Sequence, residues 1–411
     1  MLNKALFKPF VENFAFQRNE KSISYIQLTP DISSNTLTIE IKSMQKMSVS
    51  YQYTNLEDGD MEVRDCYSNG LINYNDFCKE ISAMKARNRL QIKFTKAGVM
   101  IEEIDVNDVV IVHMLKVIDD TLVNDLTAVT SCSKDACIKS DEIMSLAYMN
   151  DLRLDLEAVP QLNGVSLKYA DGYLYFCSSI GSSLHCCKVE MEENILDGKE
   201  YMIPSVYMKD MLMLDSECLY LNIVEIGNSK GIQFSTSEVS IILPVTEIKK
   251  EDSIFSNFIK VETIKNAKWM MKFTSEVFED KNWKYFVKKE VSLRKTHNDD
   301  KFASFMVFNA DFSDYYDGQN LMYRLKIENI GEKVERTAPE LIHANFIEKP
   351  DESVNLNAHP MNEFKINSFD FIKFVGGMKN KEVTCTVGTD EKGNRFIVLN
   401  NENKYLYTPC V

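Results

Sequence analysis

One arrangement recurs three times along the chain: a short strand, an apolar helix stripe, then three strands. Such internal repetition constrains the architecture more than any single motif does. The opening strands end at Ile72, Ile203 and Ile366. Five residues later stand Phe77, Met208 and Phe371, and four further on Ile81, Leu212 and Val375. The i, i+4 spacing predicts one apolar face on a helix of about ten residues. Asn73 or Asn75, Ser205, and Asn367 or Ser368 stand where a helix N-cap is wanted. Alternating segments follow at Leu90–Phe94, Leu219–Ile223 and Val383–Val387, the pattern of half-buried strands. Two more strands complete each copy: Val99–Ile101 and Val109–Met114, Ile232–Phe234 and Val239–Leu243, Arg395–Leu399 and Tyr405–Thr408.

Looser copies lie between these. Leu6–Phe16, Ile138–Asn150 and Ile264–Phe278 are helix candidates. Strand candidates follow at Ser24–Leu28, Thr36–Ile41 and Met47–Tyr53, at Gly164–Tyr169, Tyr173–Cys177 and His185–Met191, and at Ala303–Phe308 and Leu321–Glu328. The chain therefore divides into six units, two per domain, with domains over 1–120, 121–250 and 251–411. Polar stretches at Asp119-Asp120 and Lys249-Lys250-Glu251-Asp252 mark the two boundaries. A single such unit cannot cover both its sheet and its helix, but two packed together build one core with both helices on the same side. The expected fold class is α+β.

Chemistry-bearing motifs are sparse. No Gly-rich phosphate loop, His-Glu-x-x-His or Ser nucleophile elbow is present. The five histidines, His113, His185, His297, His343 and His359, are dispersed. Gly376-Gly377 reads as close helix packing. His185-Cys186-Cys187 is the one metal-like cluster, yet neighbours on a strand point to opposite faces and split the ligands. No catalytic residue, metal ligand or cofactor is expected. The ten cysteines form no repeated framework, which predicts reduced thiols. Met1-Leu2-Asn3-Lys4 lacks a secretory apolar region, and no run of about 18 apolar residues spans a membrane. A cytoplasmic location is expected. The net charge of −14 argues against DNA gripped over the whole surface but permits local basic faces.

Several stretches, in order along nearly the whole chain, resemble the beta sliding clamp of bacterial DNA polymerase III, in a divergent, phage-like form. Ala5-Leu6-Phe7-Lys8-Pro9-Phe10 resembles that family's first helix. Leu162-Asn163-Gly164-Val165 opens the second domain's strand in the same way. Ser178-Ser179-Ile180-Gly181-Ser182-Ser183-Leu184 stands in place of a Thr-Asp-Gly-His-Arg-Leu turn, and Tyr405-Leu406-Tyr407-Thr408-Pro409-Cys410-Val411 resembles the C-terminal strand and tail. The chain departs from the pattern in three ways. It lacks most of the strand before the first helix. Ser182 and Ser183 replace His and Arg in the turn. Additional segments occur at Lys281–His297, Asp311–Gln319 and Glu348–Pro360. The first of these is rich in lysine and reads equally as a DNA- or partner-contacting loop or as a solvated excursion.

The resemblance implies three repeated clamp domains, each of two βαβββ units, with helices lining the inside of a ring and sheets outside. It implies a non-enzymatic processivity factor that encircles double-stranded DNA without reading sequence. It further implies a head-to-tail homodimer that meets a clamp loader and tethers a DNA polymerase. A ring that slides needs weak phosphate contacts, not base readout. In the helix candidate Ile264–Phe278, Ala267, Met271, Thr274 and Phe278 fall on one face, and Lys265, Lys268 and Lys272 on another rotated by roughly 120°. Lys79 and Lys373 oppose the apolar stripes of their helices, and Lys4 and Lys8 lie together on the first. By resemblance, a peptide-binding cleft would draw Ser179, Gly181 and Leu184 from the turn and Pro244 and Val245 from the domain connection. Leu406, Thr408, Pro409, Cys410 and Val411 would come from the tail. An apolar concave site with polar rims suits a linear motif. Leu184 and Leu406 read equally as core strand residues. A β-rich structural or adaptor protein that never closes a ring is the alternative to a clamp.

Overall fold

A computed structural model describes residues 2–8, 10–11, 24–43, 48–53, 56–57, 59–64, 71–118, 129–132, 136–139, 164–180, 183–204, 214, 218–226, 229–253, 269–274, 304–311, 320–329, 336–346, 363–367, 370–371, 374, 382–389, 395–401 and 403–409. Along the chain run β1 (Ser24–Asp31), β2 (Thr36–Ser43), β3 (Ser48–Tyr53), β4 (Met61–Val63), β5 (Leu71–Asn73), α1 (Tyr74–Ala83), β6 (Arg89–Thr95), β7 (Gly98–Ile104), β8 (Val110–Ile118), β9 (Val129–Cys132) and β10 (Ala136–Lys139). Next come β11 (Gly164–Ala170), β12 (Tyr173–Ile180), β13 (Ser183–Glu190), β14 (Glu200–Pro204), β15 (Cys218–Ile226), β16 (Ser229–Ser235), β17 (Val239–Pro244) and β18 (Thr246–Glu247). The last are β19 (Trp269–Thr274), β20 (Ser304–Asp311), β21 (Asn320–Asn329), β22 (Arg336–Phe346), β23 (Glu363–Asn367), β24 (Glu382–Thr389), β25 (Arg395–Asn401) and β26 (Lys404–Pro409).

Two compact units form. One holds residues 1–143 and 191–247, the other 144–190 and 248–411. In the first, a sheet runs in the order β10-β15-β16-β17-β3-β2-β1-β5-β8-β7-β6-β4, with β9 also on β15. Alternation explains its inner face: Leu37, Ile39 and Ile41 of β2, and Leu90, Ile92 and Phe94 of β6, are fully buried. Gly98 opens β7 at φ +142°, where a Cβ would stand 2.2 Å from the Leu115 carbonyl oxygen, so only glycine fits this close strand approach.

The helix predicted after Ile72 forms as α1. Asn73 caps it, its side-chain oxygen accepting from the Asn75 and Asp76 amides at 2.9 and 3.3 Å. Tyr74, Phe77 and Ile81 are its buried stripe. Phe7 meets Phe77 edge-to-face at 5.5 Å, and the Tyr74 hydroxyl donates to the Phe10 carbonyl at 2.5 Å. Burying those rings anchors the N-terminal segment, each large side chain contributing about 1.5–3 kcal/mol.

In the second unit the order is β11-β12-β13-β26-β25-β24-β19-β22-β21-β20-β23. Phe308 stacks on Phe364 at 4.5 Å and takes Phe371 edge-on at 5.3 Å. Tyr323 closes the cluster against both Phe308 and Phe364. Phe371 and Phe374 are helical and fully buried; of the two, Phe371 belongs to the expected apolar stripe.

Some expectations are corrected. Residues 269–274 of the expected helix Ile264–Phe278 are strand β19, paired with β22 on one side and β24 on the other. The segment fits both periods, since Trp269, Met271 and Phe273 alternate as well. Two flanking ladders outweigh a modest helix propensity. Ala136–Lys139 is likewise strand β10, so the helix expected from Ile138 does not begin there. The first helix starts as a 3-10 turn over Lys4–Phe7, with Asn3 as its cap. The strand β22 was not foreseen. Cys137 is disulfide-bonded, against the expectation of reduced thiols; it lies exposed on an edge strand, where a thiol is accessible. The helix stripe at Met208 and Leu212, and Val375, fall outside the described residues.

Candidate functional site

Two strand pairings join segments far apart in sequence. In the first unit, β3 pairs antiparallel with β17, Val49 opposite Ile241. In the second, β13 pairs antiparallel with β26, placing Leu184 opposite Tyr407 and His185 opposite Leu406. The expected cleft residues of the turn and the tail meet along this second ladder.

Strand alternation divides them between two faces. Leu184 packs with Tyr175, Cys177 and Cys186, covered by half-buried Tyr173, Tyr405 and Tyr407. Phe396 stacks on Tyr407 at 4.6 Å. Ser179, opposite Leu184, belongs to this aromatic face, and its hydroxyl donates to the Ser183 carbonyl at 3.4 Å. Leu406 and Thr408 lie on the other face and are buried. Pro409 is half-buried and stands opposite Phe396. Pro244 and Val245 belong to the first unit, where Pro244 pairs with Gly231 and the Val245 amide donates to the Lys230 carbonyl. Gly181, Cys410 and Val411 lie outside the described residues.

A polar network lies beneath Leu406. Ser183 donates to Asp370 at 2.5 Å and shares a 2.9 Å hydrogen bond with Thr408. His185 Nε2 meets the other Asp370 oxygen at 3.2 Å. All four side chains are buried, His185 completely. A serine, a histidine and an aspartate meet here, but burial closes the group to substrate, and the Ser183 hydroxyl is engaged by Asp370 and Thr408. The arrangement is a clasp: it fixes β13, β26 and the helical turn at Asp370 through groups that are costly to leave unpaired in a dry interior. Cys186 faces Cys177 while its neighbour His185 reaches Asp370, so the His185-Cys186-Cys187 run does divide its side chains between faces.

A second buried polar group ties α1 to the β7–β8 hairpin. His113 Nδ1 meets Glu80 and Nε2 meets Glu103, both at 3.0 Å. Glu103 also accepts from the Lys85 amide at 2.8 Å and from Asn88 at 2.6 Å. Burial works against charge on Glu103, but these donors outweigh it and hold its carboxyl below the usual range. Burial likewise opposes protonation of His113, and the two carboxylates outweigh it, raising its pKa. Beyond this clasp, Val110, Ile111, Val112 and Met114 of β8 are exposed. Among the described residues, β8 is paired with β7 over Val110–Lys116 and with β5 only at Val117 and Ile118, so one edge is open over Val110–Lys116.

The expected DNA-facing lysines have different fates. The Lys4 ammonium donates to the Ser82 and Met84 carbonyls at 3.0 and 2.9 Å, satisfying the C-terminal end of α1. Lys8 and Lys79 are exposed, Lys79 away from the buried stripe of α1. Lys272 lies on strand β19, which removes the helical basis for grouping it with Lys265 and Lys268. Lys265, Lys268 and Lys373 lie outside the described residues. Sequence reasoning missed Asp370, Glu80 and Glu103, and with them the partners of His185 and His113. Each partner is distant in the chain and no local motif announces it. Among the described residues no helix is long and apolar enough to cross a membrane.

No protein-family model and no curated protein sequence matches the chain. Solved structures do. A DNA polymerase sliding clamp from Pseudomonas aeruginosa superimposes over 100% of this chain and 98% of its own, with a TM-score of 0.64 and 11% identity. The Caulobacter crescentus beta sliding clamp matches over 100% and 97%, with a TM-score of 0.65 and 10% identity. The Helicobacter pylori beta clamp, solved bound to a DNA ligase peptide, matches over 100% and 98%, with a TM-score of 0.64 and 10% identity. With its sheet-dominated repeats matched from end to end, the chain has the fold of the bacterial DNA polymerase III beta sliding clamps.

Proposed function

We propose that this protein is a DNA sliding clamp, a non-enzymatic processivity factor that encircles duplex DNA in the cytoplasm and tethers a replicative polymerase. The observation that carries the reading is the full-length likeness to clamps at both chain lengths. The three domains are residues 1–120, 121–250 and 251–411. In that division the β3–β17 and β13–β26 pairings each join an edge strand of one domain to an edge strand of the next.

Ring closure needs a second copy in a head-to-tail homodimer, and a clamp loader to open it. The open edge of β8, with Val110, Ile111 and Val112 exposed, suits addition of a partner strand: backbone groups supply the ladder and the apolar side chains the burial. The polymerase peptide would dock at Ser179, Gly181, Leu184, Leu406, Thr408, Pro409, Cys410 and Val411. Burial of Leu406 and Thr408 gives those two a supporting role under the site. One neighbour's complex with a DNA ligase peptide supports this mode of recognition. Lys8, Lys79, Lys265, Lys268 and Lys373, with Lys4 partly engaged by α1, would face DNA. Their contacts would be to phosphate, sequence-independent and weakened by salt.

The test is topological. Loaded onto nicked circular DNA, the protein stays bound through gel filtration and is released when the circle is linearised. Equal retention on circular and linear DNA refutes encirclement.

A further inference from the structure

Cys177 and Cys186 are direct cross-strand partners on β12 and β13. Their sulfurs lie 2.9 Å apart, and both residues are free and buried. Opposed residues of an antiparallel pair have Cα atoms about 4.5 or about 5.5 Å apart, and both values lie within the range a disulfide accepts. The backbone register therefore already meets the main requirement of a bond, and the side chains already point at one another. The proposed DNA and peptide roles use neither thiol.

We infer that Cys177 and Cys186 form an oxidisable pair, a modification site at which a peroxide converts two thiols into a cross-strand disulfide. In the balanced step, one thiolate sulfur attacks a peroxide oxygen, the O–O bond breaks, and a sulfenic acid and one water result after protonation. The second thiolate then attacks the sulfenic sulfur and a second water leaves. Two thiols and one hydrogen peroxide give one disulfide and two waters, the sulfurs losing two electrons to the peroxide. Burial and the contact with Cys177 push the Cys186 thiol well above its usual range, so reaction is slow and accelerates with pH. Half-buried Tyr173, Tyr405 and Tyr407 pack against the pair, so peroxide reaches it through their movement. Because the other edge of β13 carries β26, the new bond would brace the strand that holds the C-terminal segment.

The experiment treats the full-length protein with hydrogen peroxide, then denatures it, alkylates free thiols and maps peptides without reduction. The expected result is a peptide pair joined at Cys177–Cys186, about 2 Da lighter than the two thiol peptides and restored by a dithiol reductant. The joined fraction should grow faster at higher pH, and C186A and C177A should each abolish it. Circular dichroism of both variants reports folding. If both cysteines remain fully alkylatable while half-buried Cys78 is oxidised, the inference is overturned. Predominant bonding of either one to another cysteine overturns it equally.

Discussion

Ser183 and Asp370 meet at 2.5 Å although 187 positions separate them in the chain. The hydroxyl belongs to the strand expected to line the cleft and the carboxylate to the helical turn beside Phe371. S183A should leave an Asp370 oxygen unpaired in a dry site and cost about 1–3 kcal/mol. D370N should cost a similar amount, since it replaces one of the two carboxylate oxygens that meet Ser183 and His185 with an amide donor. Urea denaturation of the two variants checks this; an unchanged midpoint in both would show that the clasp contributes nothing.

Stability should depend on pH through His113. Its folded pKa lies above 6.5, so its contribution is complete below that value and is lost as pH rises through the raised one. Glu103 is depressed below 4.5, so its contribution is present above 4.5 and is lost as pH falls through the folded value. Between 4.5 and 6.5 both are in force. Wild type should therefore lose stability as pH rises above 6.5, while H113Q should show a flatter profile there. Denaturant midpoints across that range provide the measurement.

The lysines should separate into two kinds. K4M removes the donor to the Ser82 and Met84 carbonyls and should lower stability by about 0.5–1.5 kcal/mol. K79A should leave stability within about 0.5 kcal/mol and reduce the salt dependence of DNA binding by about one phosphate contact. Paired denaturation and salt titrations distinguish them.

Charge placed on the open edge of β8 should block self-association. I111D with V112D substitutes two exposed apolar side chains, so the protomer should still fold. Sedimentation should then show a shift from dimer to monomer and loss of retention on circular DNA. A wild type that sediments as a monomer at all concentrations would sink the ring itself.

Removal of Thr408–Val411 is a poor test of the peptide site, because Thr408 is buried and bonded to Ser183. Removal of Cys410 and Val411 alone leaves β26 as it stands. That truncation should weaken stimulation of the polymerase at least tenfold while the thermal midpoint stays within a few degrees.

The recurrent strand–helix–strand order was legible because its signals are local. Ile72, Asn73, Phe77 and Ile81 carry strand end, cap and stripe within ten positions, and α1 follows from them. The alternation in Val383–Val387 and Tyr405–Thr408 names two strands for the same reason. Residues 269–274 satisfied two periods at once, and only the neighbouring ladders of β22 and β24 chose between them. Which face of β26 carries Leu406 was likewise undetermined, since a one-residue change of register exchanges the faces. The clasps at Asp370 and His113 depend on side chains brought together from 10 to 225 positions apart. The sequence by itself thus determined the elements and their repetition, because propensity and hydrophobic period act over a few residues. The tertiary structure alone decided which strands pair, which buried polar groups meet and which edge stays open, because those are settled by long-range packing.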